Sequence, residues 1–263
     1  MSKPRPRKPA HVIAAERRRK ADGPERVWLF GIHAVRDALA NPARTKHRLL
    51  ATPNAVNRLE AEIADAGLTP EIVDPRRFTA PIDPGSVHQG AALEVDPLDW
   101  GSLSERCAPG SEAPIVLLLD RVTDPHNVGA ILRSAEVFGA RAVIAPRHHS
   151  APETGALAKT ASGALERQPY LRVPNLARAM GALREMGYTI LGLDGEGAAT
   201  LEDALEIHPK GPLALALGAE GPGLRELTRE TCDEIVRIPF AGPFGSLNVS
   251  NAAAVSLYAA RHR

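Results

Sequence analysis

Polar side chains that core packing does not require are concentrated in three segments of the chain. The first, Asp120-Arg-Val-Thr-Asp-Pro-His-Asn-Val-Gly, continues into Arg133 and Glu136. The second is Leu217-Gly-Ala-Glu-Gly-Pro-Gly-Leu, and the third is Ile238-Pro-Phe-Ala-Gly-Pro-Phe-Gly-Ser-Leu-Asn-Val-Ser-Asn. Carboxylates, amides and a guanidinium can bind a polar substrate, and glycines let the backbone approach a ligand closely. Together, the segments are candidates for a ligand-binding and catalytic site.

Each segment also has a purely structural interpretation. Asn127 could cap the helix that follows it, and the two charged residues after it could pair with each other. The glycines at 218, 221 and 223 could simply form a turn. Ser246 or Asn248 could cap the last helix of the chain. The residue types alone leave these alternatives open.

Familiar catalytic and nucleotide-binding motifs are missing from the sequence. It contains no G-x-x-x-x-G-K-[ST], no G-x-S-x-G and no H-E-x-x-H. Gly195-Glu-Gly begins like a dinucleotide-binding fingerprint but lacks the third glycine, which leaves a nicotinamide-binding protein as a remote alternative. Cys107 and Cys232 form no metal-ligand or disulfide pattern, and we expect no bound metal.

The segments follow apolar runs that are typical of buried strands. Strands alternate with amphipathic helices from residue 115 onward, which predicts an α/β fold with a mostly parallel sheet covered on both faces. The ligand site of such a sheet lies beyond the carboxyl ends of its strands. The predicted strands are 115–120, 142–145, 189–193, 213–217 and 234–238, and the predicted helices are 127–138, 175–186, the region around 224–229, and 248–261.

A smaller α/β domain is predicted over residues 27–96. It contains helices at 31–40 and 54–66, with Asn54 as the N-cap and Gly67 after the last turn of the second. Strands are expected at 48–51, 72–73 and 91–95. Residues 97–113 are rich in proline and glycine and predict a linker, after which 114–263 forms the second domain.

Residues 1–26 predict a disordered basic arm. They hold nine of the chain's 32 Lys and Arg residues but three of its 31 acidic ones, a local net charge of +6. The remaining residues carry 23 basic and 28 acidic side chains. The arm could be a solubilising tail or could neutralise nucleic-acid phosphates, and the sequence leaves both open.

Composition excludes several classes of protein. The longest apolar run, 115–119, is much shorter than the roughly 20 residues of a membrane-spanning helix, so we expect no membrane contact. The N-terminus lacks the apolar region of a secretory signal, and the cysteine usage fits a reducing compartment, so a cytoplasmic location is expected. Aromatic residues make up 4% of the chain, which argues against RNA-binding domains that stack bases on rows of aromatic rings.

The three segments, taken together, resemble the three motifs of the SpoU, or TrmH-like, RNA ribose 2′-O-methyltransferases. The similarity continues into Phe30-Gly-Ile-His-Ala-Val and His88-Gln-Gly of the smaller domain. It is greatest to the bacterial 23S rRNA guanosine-2′-O-methyltransferase branch. The sequence departs from that pattern in its basic segment before Val27 and in Asn251, where relatives often have a small or apolar residue. Neither departure affects a motif position. The motif residues are Asn127, Arg133 and Glu136, then Leu217-Gly-Ala-Glu-Gly, then Ile238-Pro with Ser246-Leu-Asn-Val-Ser.

This resemblance implies a SPOUT-type parallel sheet with a deep trefoil knot, and a small N-terminal α/β domain that binds the substrate RNA. It implies that S-adenosylmethionine binds in the knot, largely through backbone groups. It also implies a homodimer with composite sites. By motif position, the residues that bind the cofactor are Leu217, Gly218, Ile238, Pro239, Ser246 and Leu247.

The family resemblance also assigns Arg133 as the key catalytic residue. Because an arginine stays protonated at neutral pH, we expect Arg133 to bind a neighbouring phosphate and polarise the 2′-hydroxyl, while the phosphate or water accepts the proton. Asn127 and Asn248 are expected to orient Arg133 and the ribose. Glu220 would hold the arginine or a substrate hydroxyl, and Ser246 would shape the loop.

Some alternatives remain open at this point. Glu136 could be a structural partner of Arg133 or of a second subunit. The substrate could be tRNA instead of 23S rRNA, although the length of the N-terminal domain favours rRNA. A non-catalytic RNA-binding assembly factor could also keep this fold, although the intact motif residues argue against it.

Overall fold

The computed structural model describes residues 26–110, 113–208, 210–242 and 247–262. The basic arm, except Arg26, and Ser246 therefore lie outside the described residues. The strands are β1 (Val27–Phe30), β2 (Lys46–Ala51), β3 (Glu71–Ile72), β4 (Ala91–Val95), β5 (Ile115–Asp120), β6 (Ala142–Pro146), β7 (Tyr170–Val173), β8 (Thr189–Leu193), β9 (Ala199–Thr200), β10 (Leu213–Gly218) and β11 (Glu234–Arg237). The helices are α1 (Ile32–Ala40), α2 (Pro53–Arg58), α3 (Glu60–Ala66), α4 (Leu103–Cys107), α5 (Pro125–Val137), α6 (Gly155–Ala161), α7 (Leu176–Glu185), α8 (Leu201–Ile207), α9 (Glu226–Thr231) and α10 (Val249–Arg261), with a 3-10 turn at Ala164–Glu166.

The larger sheet has the order β7-β6-β5-β10-β8-β11-β9, and its described pairings are all parallel. Side chains alternate between its faces: Ile115, Leu117 and Leu119 join one apolar cluster, whereas Val116 and Leu118 join another. Both clusters are buried because helices cover both faces. The expectation of an α/β fold with a parallel sheet is confirmed. The trefoil knot, which strand order alone does not demonstrate, stays a prediction.

The smaller sheet has the order β1-β4-β2-β3, in which β4 runs antiparallel to both of its neighbours and β3 runs parallel to β2. Strand β1 was not predicted from the sequence, and only its last two residues are buried. The core of this unit is continuous with one face of the larger sheet. Leu29 and Ile32 belong to the same apolar cluster as Leu117, Val128 of α5 and Leu157 of α6.

The predicted cap at Asn54 was wrong, and the possible cap at Asn127 does not form. Asn54 does not cap the helix of the smaller domain, because the Thr52 side chain accepts a hydrogen bond from the Ala55 amide and Pro53 occupies the first helical position. That helix also breaks at Leu59, whereas Gly67 does end it in the left-handed conformation. Asn127 does not cap α5, because the Asp124 carboxylate accepts the His126 amide at 2.8 Å.

The segment 97–113 contains a short helix, although the sequence predicted only a linker there. Ser102 and Glu105 form a reciprocal capping box at the start of α4. Cys107 at its end is fully buried in the second apolar cluster. Elements α6, β7 and α8, which lie between or beside the predicted elements, were not predicted from the sequence either. The domain boundaries at 96 and 114 stay predictions.

Candidate functional site

Four neighbouring strands end at the edge of the sheet where a cavity opens. In the order β5, β10, β8 and β11, these ends are Asp120, Gly218, Leu193 and Arg237, and the parallel pairing brings them to one edge of the sheet. A cavity of about 1090 Å³ opens there. It is lined by the loops that follow β8 and β10, by the segment after β11 and by the start of α10. All described residues that the family resemblance assigned to the cofactor line it: Leu217, Gly218, Ile238, Pro239 and Leu247.

The loop after β10 folds back tightly on Gly218. The Gly223 amide donates to the Ala219 carbonyl at 3.0 Å, and Gly221 and Gly223 have φ of +85° and +68°. A Cβ atom at position 218 would overlap the backbone of Gly223. The glycines therefore do form the turn that the structural interpretation suggested, and this turn is also a wall of the cavity.

A buried carboxylate holds this loop against the sheet. Asp120, at the end of β5, is fully buried and lies beside Gly218 in the strand register. Its two oxygens accept the Arg225 amide at 2.9 Å and the Arg225 Nε at 2.6 Å. Asp120 therefore fixes the far end of the glycine loop, which gives a structural reason for a carboxylate at this strand end.

Asn127, Glu220 and Asn248 form one hydrogen-bonded cluster at the rim of the cavity. Asn248 Nδ2 donates to Glu220 Oε1 at 2.6 Å and to Asn127 Oδ1 at 3.0 Å. Asn127 Nδ2 donates to the same Glu220 oxygen at 3.2 Å. Asn248 also caps α10, because its Oδ1 accepts the Ser250 amide at 2.9 Å. The structure thus brings together one residue from each of the three sequence segments.

Arg133 lies apart from that cluster. It follows Asn127 by six residues in α5, which places it about 120° around the helix and about 9 Å along the axis. It is one turn after Gly129, whose backbone lies against α6. Its side chain is exposed, and no described residue forms a hydrogen bond or an ion pair with its guanidinium. The expectations that Asn127 and Asn248 orient Arg133, or that Glu220 holds it, are not met within this chain.

Glu136 binds Arg167 and not Arg133. Both Glu136 oxygens accept hydrogen bonds from Arg167, through Nε to Oε1 and through Nη2 to Oε2 at 3.3 Å. Of the alternatives left open for Glu136, pairing with Arg133 is therefore not formed in the described part of the chain. Arg167 follows a 3-10 turn that the sequence analysis did not detect.

The sequence analysis missed an acidic part of the cavity wall. Asp194 and Glu196 follow β8 and line the cavity, and Arg229 pairs with Asp194 from α9. The Asp194 carboxylate also accepts the Glu196 amide at 3.0 Å. In the sequence, their segment resembles only an incomplete dinucleotide motif. Its position at the end of a parallel strand was the signal that could have found it.

Neither cysteine fits the role of a nucleophile. Burial raises the pKa of the Cys107 thiol to about 11, and burial together with Asp233 raises that of Cys232 to about 12, so both thiols stay protonated at neutral pH. Over the described residues, no three or more His, Cys, Asp or Glu side chains are grouped to hold a metal ion. No described helix is long and apolar enough to cross a membrane.

Comparisons with known proteins agree with this geometry. The model of the SpoU rRNA Methylase family matches residues 114–258, and that of RNA 2′-O ribose methyltransferase substrate binding matches residues 28–100. The chain is 42% identical to the 23S rRNA (guanosine-2′-O-)-methyltransferase RlmB of Photobacterium profundum, over 88% of this chain and 96% of that protein. It is 41% identical to the protein of that name from Ralstonia nicotianae, over 88% and 94%.

A solved structure gives the same result for the fold. The SpoU methyltransferase AviRb from Streptomyces viridochromogenes, in complex with the cofactor AdoMet, superposes with a TM-score of 0.77 at 26% identity. The superposition covers 94% of this chain and 92% of that one. The match therefore extends over nearly the whole length of both chains. With its three motifs, its sheet and both family models in agreement, this chain belongs to the SpoU rRNA methylase family.

Proposed function

We propose that this protein transfers a methyl group from S-adenosylmethionine to the ribose 2′-hydroxyl of a guanosine in 23S rRNA. The observation that carries the proposal is the cavity at the carboxyl edge of the sheet, with Asn127, Glu220 and Asn248 joined at its rim. The choice of rRNA is supported by relatives named as 23S rRNA enzymes that match along almost their whole length.

The cavity fits S-adenosylmethionine in size and in charge. This cofactor has two positive groups, a sulfonium and an ammonium, and one negative carboxylate. The described wall of the cavity has the opposite excess, with three carboxylates (Asp194, Glu196 and Glu220) and one cation (Arg229). Backbone groups at Gly218, Ile238 and Leu247 would hold it, and Ser246, which lies outside the described residues, stays in the proposed set. When bound, the cofactor supplies a methyl group on sulfur that an oxygen nucleophile can displace in line.

The rim cluster leaves specific groups free for the ribose. Asn248 uses both amide hydrogens on Glu220 and Asn127, and its oxygen on Ser250. Glu220 Oε2 and one Asn127 amide hydrogen have no partner in the described part of the chain. These two groups can therefore accept from and donate to ribose hydroxyls, which would fix the 2′-oxygen at the cavity mouth.

Arg133 is proposed to act on the substrate phosphate. Its guanidinium stays charged and can bind two phosphate oxygens in a fork, which also polarises the adjacent 2′-hydroxyl. It cannot remove the proton, which passes to the phosphate or to water. Its exposure and its lack of a partner among the described residues leave it available for RNA.

The decisive experiment maps ribose methylation on purified 23S rRNA and tRNA incubated with the protein and labelled S-adenosylmethionine. We expect one guanosine of 23S rRNA to be methylated, and Arg133→Ala to abolish transfer with cofactor affinity unchanged. Arg178→Ala, an exposed arginine on the remote α7, is the matched control and should keep wild-type activity. Methylation of tRNA alone would correct the substrate, and no transfer to either RNA would refute the proposal. If Arg133→Lys retains most activity, the fork geometry assigned to Arg133 is wrong.

We also propose a cytoplasmic homodimer that buries the outer surface of α5 and α10. Val137, Val255 and Tyr258 are 72%, 42% and 58% exposed on these two packed helices. A second copy of this chain would cover them, as the family resemblance implies. Light scattering should show a dimer at micromolar concentration and a monomer for Tyr258→Glu. Leu227→Glu, at an equally exposed apolar position on α9, should stay dimeric.

A composite site would reconcile the dimer with the separation of Arg133 from the rim cluster. Mixing inactive Arg133→Ala subunits with inactive Asn248→Asp subunits tests this idea. If Arg133 serves the cavity of the partner, random reassembly restores about a quarter of wild-type activity, because half of the dimers are mixed and each has one intact site. If both residues act within one chain, the mixture stays inactive.

A further inference from the structure

Two adjacent residues of the large domain bind the small domain through opposite charges. Glu166 accepts Arg44 Nη2 at 2.6 Å and Asn41 Nδ2 at 2.9 Å. Arg167 donates to Asp37 Oδ2, on α1, at 3.0 Å. The contact with Asp37 is shaped by Gly163, because a Cβ there would overlap the Asp37 carboxylate. Glycine at this position, with φ of +90°, lets α1 approach this closely.

Arg167 joins this contact to the helix that carries Arg133. While its Nη1 binds Asp37, its Nε and Nη2 occupy both oxygens of Glu136 on α5. Glu136 is three residues after Arg133, a spacing at which a carboxylate and a guanidinium on one helix attract each other. Arg133 nevertheless has no ion pair among the described residues. The simplest physical reason is that Arg167 already holds the only carboxylate within one turn of it on α5.

We propose that Arg167 is a positioning residue for methyl transfer, because it keeps Glu136 from pairing with Arg133. Since Arg167 also binds Asp37, this effect depends on the small domain being docked against the large one. The inference rests on the proposed function, since it assumes that the Arg133 guanidinium must be free to bind RNA phosphate. Without Arg167, Glu136 would compete with that phosphate for Arg133. The role assigned to Glu136 is structural, through Arg167, and not catalytic.

The test compares steady-state transfer to 23S rRNA by the full-length protein and three variants. For Arg167→Ala we expect kcat/KM to fall about two- to five-fold. This is the size of effect that an exposed ion pair between Glu136 and Arg133 would have on the binding of phosphate by Arg133. Glu136→Gln/Arg167→Ala should regain most of the wild-type rate, because the neutral amide no longer binds Arg133. Arg184→Ala loses a comparable surface pair with Asp233 and should retain wild-type activity.

The dependence of the activity loss on salt concentration distinguishes this role from a purely structural one. The loss in Arg167→Ala relative to wild type should shrink as ionic strength rises, since salt screens the competing pair. The inference is refuted if Arg167→Ala equals wild type, or if the double variant is no better than Arg167→Ala. Inactivity of the wild-type protein on every RNA would instead refute the proposed function, and the two failures are thus distinguishable.

Discussion

Replacing Arg44 with methionine should destabilise the protein by about 3–5 kcal/mol, because it leaves two buried carboxylates without their cation. The Arg44 side chain is fully buried, and Glu166 and Glu153 beside it are 3% and 12% exposed. Arg44 binds Glu166 at 2.6 and 3.0 Å, Glu153 at 2.5 Å and the Asp96 carbonyl at 2.8 Å. For a chain of this size, such a loss lowers the unfolding midpoint by about 6–20 °C.

The loss of stability in Arg44→Met should also depend on pH, and the pKa of Glu153 determines whether it grows or shrinks as pH rises. Burial raises the pKa of the Glu153 carboxyl above its usual value of 4.5, while Arg44 opposes that rise. In Arg44→Met the opposition disappears, so the folded pKa rises further. A carboxyl whose folded pKa exceeds its unfolded one loses stability as pH rises from the unfolded to the folded value. The variant should therefore be closer to wild type at pH 5 than at pH 8.

Urea unfolding followed by circular dichroism at both pH values measures this effect. Arg44→Met/Glu166→Gln should recover part of the loss, because it leaves one buried charge fewer. Arg48→Met, which removes an exposed pair with Glu71, should leave the midpoint unchanged. A loss below about 1 kcal/mol in Arg44→Met at pH 8, or an equal loss at both pH values, would show that the buried cluster does not behave as a paired charge group.

Three further predictions concern the cavity and the arm. Gly218→Ala should abolish S-adenosylmethionine binding in calorimetry, because its Cβ would displace the backbone of Gly223; wild-type affinity would contradict this. Asn248→Asp should keep the α10 cap and the melting temperature but lose methyl transfer, because it sets a second carboxylate against Glu220. Deleting residues 1–24 should weaken RNA binding at low salt and reduce the log–log salt slope by somewhat under one unit per phosphate contact, with the methylated nucleotide unchanged. An unchanged slope would identify the arm as a passive tail.

The sequence was sufficient to predict the sheet and the wall of the cavity. A continuous apolar strand such as Ile115–Asp120 indicates that the sheet is buried on both faces. The carboxyl ends of parallel strands must lie at the same edge of the sheet. The cluster of Asn127, Glu220 and Asn248 could be expected for that reason, although they are up to 121 positions apart. The family resemblance then added the cofactor, which residue types alone did not specify.

The partners of charged side chains could not be predicted from local sequence. Helical spacing paired Arg133 with Glu136, but a guanidinium from a distant turn, Arg167, makes two hydrogen bonds to Glu136. Arg44 likewise pairs with residues 109 and 122 positions away. The helix caps, by contrast, have a local signal: Thr52 and Asp124 each precede a proline that fits the first helical position.

The three roles proposed for residues of α5 predict that its link to the small domain matters for the reaction. Asn127 is fixed to the cavity rim at one end of the helix, and Glu136 is tied through Arg167 to Asp37 at the other. The rise of the helix keeps Asn127 and Glu136 about 13 Å apart along the axis, with Arg133 between them. A shift of the small domain would break the contact between Arg167 and Asp37 and, under the role proposed for Arg167, would change the charge environment of Arg133. If Arg133 acts on the substrate phosphate and the small domain binds the RNA, as proposed, this link would keep the two at a fixed separation while one ribose of a large RNA is positioned for transfer.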